Sequence, residues 1–137
     1  MEYPVEFVND VLDHAKSLLI EQGEFRPFAW AEQVDSPGII VSDGSDCSDS
    51  DSLQQVCIGF ERYFVKNLSL KNISKTAVAA NVVVQDPRNG RDRESIRLAL
   101  ETYDGLSLYV FFPYTLSEGV LVMDKPFMAK KQPAIFN

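Results

Sequence analysis

Few side chains in this 137-residue sequence are of a type and in a setting to do chemistry. A nucleophile needs a positioned base, and histidine is the usual one. The single histidine, His14, falls on the border of an amphipathic stretch, where it could serve Cys57 or a serine. The plainer account makes it a boundary residue of a surface helix, and no Gly-x-Ser-x-Gly elbow argues otherwise. Carboxylate pairs offer acid–base work. Glu24 and Glu101 are the best placed, and with Arg26 they could line a cleft at a sheet edge. Alternation along the strand turns Glu101 away from Leu100, so a surface ion pair with Arg26 or Arg97 is the simpler expectation. Asp43, Asp46, Asp49 and Asp51 are hard oxygen ligands, but they fall mostly three apart. The twelfth position counted from Asp43 is Gln54, where a calcium loop carries glutamate. There is no CxxC, no Cys/His cluster and no glycine-rich phosphate loop. We therefore expect no catalytic residue, no metal and no cofactor.

The elements that would position these residues follow from periodicity. Residues 5 to 22 carry Val8, Val11, Leu12, Ala15, Leu18 and Leu19 at spacings of three and four, which predicts a helix ending at Gly23. Residues 24 to 31 are aromatic-rich and predict a strand, demoted by Pro27 to an edge or an irregular start. Asp35-Ser-Pro-Gly38 marks a turn into a short strand over 38–42. The polar stretch 43–52 cannot pack and reads as a loop. Its Ser52 and Gln55 form a capping-box pattern for a second helix over 53–70, with Val56, Cys57, Phe60 and Phe64 in its buried stripe. Strands are predicted over 76–85, 95–102 and 106–113, with a weaker one at 119–123. Asp104-Gly105 suggests a type I′ hairpin turn, and the tail with Phe127 and Phe136 should be extended and docked. The expectation is one α+β domain over 1–137. It has the order α-β-β-α-β-β-β(-β), a mainly antiparallel five- to six-stranded sheet, and both helices on one face.

Charge narrows the partners. Thirteen Lys and Arg against twenty Asp and Glu give a net charge of -7. Nucleic-acid binding draws on cationic side chains, and Arg88, Arg91, Arg93 and Arg97 are interleaved with Asp86, Asp92 and Glu94. That pattern is a mixed, solvated turn, so we expect neither nucleic acid nor an anionic membrane as partner. Met1 to Phe7 holds no basic, apolar leader, and the apolar runs fall far short of the ~20 residues of a membrane span. A cytoplasmic protein with two free thiols, Cys47 and Cys57, is the expectation.

Element order resembles the profilin-like and roadblock-like layouts. In addition, Gly23-Glu-Phe-Arg-Pro-Phe-Ala29, Ala99-Leu-Glu101 and Val110-Phe-Phe-Pro-Tyr114 resemble a family of small uncharacterised bacterial proteins. That resemblance implies a bacterial cytoplasmic domain and no biochemical function.

The aromatic residues carry the remaining signal. If Leu108, Val110 and Phe112 face the core, Tyr109 and Phe111 face the other way. With Trp30 and Tyr114 they would make an exposed aromatic face, which marks an interface unless the tail covers it. The sequence thus suggests a non-catalytic protein-interaction module, of adaptor, chaperone-like or immunity type, paired as a homodimer. The alternative is a small enzyme or ligand-binding protein built on Glu24, Arg26 and Glu101.

Overall fold

Apolar spacing near the start of the chain decides its first element. In the computed structural model, which describes residues 3–34, 39–42 and 52–136, helix α1 (Val5–Gln22) buries Val8, Val11, Leu12, Ala15 and Leu19 along one side. Gly23 ends it at φ 78°, donating its N–H to the Leu19 carbonyl, a left-handed conformation that glycine adopts without a Cβ penalty. Helix α2 (Leu53–Lys71) opens on the capping box. Gln55 N–H donates to Ser52 Oγ at 3.2 Å, and Ser52 N–H donates to Gln55 Oε1 at 2.9 Å. No helix of the described residues is long and apolar enough to cross a membrane.

The strands are β1 (Phe28–Gln33), β2 (Ile39–Ser42), β3 (Ile73–Gln85), β4 (Asp92–Thr102), β5 (Ser107–Ser117), β6 (Val120–Met123) and β7 (Phe127–Lys130). They form one antiparallel sheet in the order β2-β1-β3-β4-β5-β6, with β7 also on β5. Strand β6 pairs with Tyr114–Ser117 and β7 with Leu108–Phe111, the register slipping by one residue between them. They behave as one long strand interrupted near Pro126, whose missing N–H suits an irregular edge. The predicted order and antiparallel character hold, and part of the predicted extended tail is a further strand. Two local expectations are corrected. Strand β1 pairs with both β2 and β3 and is no edge, because Pro27 stands just outside its ladder. The β4–β5 connection, residues 103–106, has four residues, with positive φ at Gly105 alone. Gly105 N–H returns to the Thr102 carbonyl and Thr102 N–H bonds Leu106, so it is not a type I′ turn.

The helices do not share a face. Ala77, Ala79, Leu98, Leu100, Leu108 and Val110 pack under α1. Their strand neighbours Val78, Ala99 and Tyr109 pack with Val56, Phe60 and Phe64 of α2. Adjacent strand residues point to opposite sides, so α1 and α2 sandwich the sheet. The reason is visible in β3, where Ala77, Val78, Ala79 and Ala80 are all buried and both faces therefore need cover.

The capping box fixes where α2 begins over the sheet. Ser52→Ala should lower the unfolding free energy by about 1 kcal/mol, read by urea denaturation, and leave the sheet's circular dichroism unchanged.

Candidate functional site: a cleft between α2 and the sheet

Strand β4 sends Arg97, Ala99 and Glu101 toward α2, since alternate residues share a face. Ala99 between the two charged residues is small, and it leaves room beneath the helix. A cavity of about 420 Å³ opens there. Leu53, Gln54, Cys57 and Glu61 of α2 form one wall. Val78, Arg97, Ala99 and Tyr109 of the sheet form the other, and Lys131, just after β7, contributes from the C-terminal segment.

Glu101 is 1% exposed, which a carboxylate tolerates only with its oxygens occupied. Ala134 and Ile135 N–H donate to Oε1 at 3.1 and 3.0 Å, Phe136 N–H reaches it at 3.4 Å, and Lys131 Nζ donates to Oε2 at 2.8 Å. Lys131 Nζ also donates to Glu61 Oε2 at 2.8 Å and to the Gln132 carbonyl at 3.2 Å. Burial alone presses the Lys131 ammonium toward neutrality, but hydrogen bonds to Glu101 and Glu61 outweigh it and set its pKa above the ordinary value.

Arg97 differs from Lys131. Its Nη2 meets Cys57 Sγ at 3.6 Å, its Cζ lies 5.1 Å from the Tyr109 ring centre, and its Nε is buried without an acceptor. Burial raises the Cys57 thiol above its usual pKa; Arg97 opposes this and Glu61 reinforces it. Cys57 is thus a thiol at neutral pH and a weak nucleophile.

The structure separates the residues that the sequence grouped for chemistry. His14 lies on α1, 4.8 Å from the Phe28 ring and 5.4 Å from Trp30. It is across the sheet from Cys57 and cannot serve it as a base. Glu24 and Arg26 are exposed in the α1–β1 connection. Glu24 acts from the α1 side, where Tyr114 has its pKa raised first by burial and further by Glu94 and Glu24, with the Asn81 hydrogen bond opposing. Glu101 faces α2, so Glu24, Arg26 and Glu101 share no cleft. Glu101 is moreover no surface ion pair, because its partner comes from the tail. Cys47 and Asp43 to Asp51 lie outside the described residues.

The aromatic interface candidates also scatter. Tyr114 is 3% exposed under α1, with its hydroxyl accepting from Asn81 Nδ2 at 2.7 Å. Trp30 is half-buried on the same side against Phe28. Tyr109 lies beneath the cations of Arg97 and Lys131, and Phe111 stacks on Phe127 with ring centres 4.9 Å apart. The predicted open aromatic face is therefore covered within one chain, by α2, β7 and the C-terminal segment, and Tyr114 was never part of it.

Sequence reasoning missed Lys131, Glu61 and the role of Arg97. One signal was present: Arg97 and Glu101 flank a small Ala99 on one face of a central strand, an unusual place for two charges. No family model, curated protein or solved structure matches the chain. The site is read from its own geometry.

Breaking the buried pair leaves three amides without their acceptor and takes from Lys131 one of its two carboxylates. Glu101→Ala should cost about 3–5 kcal/mol in chemical denaturation and abolish exchange protection of the Ala134 and Ile135 amides.

The raised Lys131 pKa stabilises the fold fully below the unfolded value of about 10.4, and that contribution is lost as pH rises through the folded value. Thermal melts from pH 9 to 12 should fall more steeply in the wild type than in Lys131→Met.

Proposed function

We propose that this chain is a small-molecule-binding domain without a catalytic step, holding its ligand between α2 and the sheet. The cleft itself carries the reading. Its volume of about 420 Å³ lies within the roughly 300–1,000 Å³ of small-ligand sites. Apolar side chains and a few convergent polar groups line it, all but Lys131 on helix or strand. Its floor is the ladder of β3, β4 and β5, continuous from Lys75↔Thr102 to Gln85↔Asp92 on one side and from Ser95↔Pro113 to Glu101↔Ser107 on the other. Such a floor is pre-formed and holds its side chains in fixed positions.

The cleft's own groups favour binding over reaction. Burial keeps Cys57 protonated, and the chain's single histidine lies across the sheet. This reading replaces the self-associating interaction module that the aromatic residues suggested. That module rested on an uncovered face, and Tyr109 and Phe111 find cover in their own chain.

A fragment library screened by amide chemical shifts on the full chain tests the proposal. Hits should move Gln54, Cys57, Arg97 and Tyr109 together, and Cys57→Phe, which places a ring in the cleft, should eliminate them. A library whose hits all lie elsewhere, or persist in the variant, overturns it.

A further inference from the structure

Electrostatic accounting within the cleft narrows the ligand. Among the described residues, several other cations near the sheet meet carboxylates: Lys131 meets Glu61 and Glu101, Arg88 meets Asp86, Arg93 meets Asp124 and Lys75 meets Glu32. Arg97 forms no such ion pair among the described residues. Its one hydrogen bond is to a thiol, its Nε has no acceptor, and it faces the cavity between α2 and the sheet. A half-buried guanidinium whose one side-chain partner is a weak sulfur acceptor retains most of its capacity for a bidentate oxygen partner.

A second donor set borders the same space. At the start of α2, the Gln55 and Val56 N–H groups are taken by Ser52 Oγ and the Ser52 carbonyl. The preceding amides, of Leu53 and Gln54, have no partner within the helix, as first-turn amides do not, and both residues line the cleft. They add a positive end to the helix beside Arg97.

We propose that the ligand is a monocarboxylate with an apolar body, bound through Arg97, an assignment that rests on the cleft being the ligand site. Charge selects the single anion. Lys131 is already shared by two carboxylates, so among the described residues Arg97 is the cation of the cleft that is not committed to an oxygen, and Glu61 stands close by. A phosphate dianion would bring two negative charges beside Glu61 and a carboxylate only one, and a carboxylate matches the guanidinium fork in geometry. The rest of the ligand meets Leu53, Ile58, Val78, Ala99 and the Tyr109 ring, a lining that suits a hydrocarbon or aryl body. Arg97 is here a binding residue, and no bond is made or broken.

The test compares phenylacetate, its neutral isostere phenylacetamide and inorganic phosphate, each titrated into the full chain and followed by amide shifts. Phenylacetate should move the Leu53, Gln54, Arg97 and Tyr109 amides and bind at least about tenfold more tightly than phenylacetamide, the usual gain from a charge-assisted contact. Phosphate should cause no shift in the cleft. Arg97→Gln should bring phenylacetate down to the affinity of the amide, and Arg97→Lys should fall between. Equal binding of acid and amide by the wild type overturns the carboxylate assignment while leaving the cleft as a ligand site. Tighter binding of phosphate overturns it as well. If neither organic probe moves a cleft amide while fragment hits do, the ligand class is wrong. If fragments fail too, the cleft reading falls with it. The acid–amide comparison needs only wild-type protein, so an Arg97 variant that fails to fold does not remove the test.

Discussion

A carboxylate taken out of water has lone pairs that must be filled by something, and at Glu101 they are filled by the end of the chain. Ala134, Ile135 and Phe136 turn their amides toward it, and Lys131 supplies the charge. Without that acceptor the stretch after β7 would lack a partner for several amides. With it, Ile135 enters the core beneath α2, and Lys131 is delivered to the cleft wall. Glu61 then joins from the helix, so one buried ion network ties the second helix, the central strand and the tail. Three charges in contact are costly to bury, and the arrangement persists because nearly every donor and acceptor in it is used.

That network also divides the labour of the two sheet faces. Under α1 the packing is apolar, from Phe7 and Val8 of the helix to Leu98, Leu100 and Val110 of the sheet, and it behaves as an ordinary close-packed core. Under α2 the strands present Ala29, Ala31, Val78 and Ala99, which are small. Phe60 and Phe64 fill the space over part of that face. Toward the start of the helix, Leu53 and the small Cys57 leave space over the sheet, and that space is the cleft. The cavity is therefore a consequence of residue volume on one face, with the other face supplying stability.

Much of this was legible before any coordinates. The three-and-four spacing of Val8, Val11, Leu12, Ala15 and Leu19, the Ser52–Gln55 pair and the alternation of Ile96, Leu98 and Leu100 are local signals, and local structure follows them. The placement of α2 was legible only in part. The unbroken apolar run in β3 says that both faces are covered, but the chain does not say locally which helix crosses to which side. Glu101 was misread for a related reason. Alternation correctly turned it away from Leu100, and outward was equated with exposed, whereas its partners lie about thirty residues downstream in a tail with no periodicity of its own. Contacts made by an irregular segment leave no pattern in the segment that receives them.

Arg97 is where the molecule departs from its own rule. A tyrosine face attracts a cation by about 0.5–2 kcal/mol, and a thiol is a weak acceptor. Neither equals the oxygen partners that Lys131, Arg88 and Arg93 have. A methionine at the same position would fill similar volume among Cys57, Tyr109 and Phe111 with no half-buried charge and no orphaned Nε. Stability alone therefore gives no reason for a guanidinium on the middle strand of this sheet. A position that breaks the pattern of an otherwise consistent chain marks a functional or a strained site, and Trp30 Nε1 and Ser95 Oγ are likewise buried without partners. On the proposed reading, the reason for Arg97 lies in what enters the space above it.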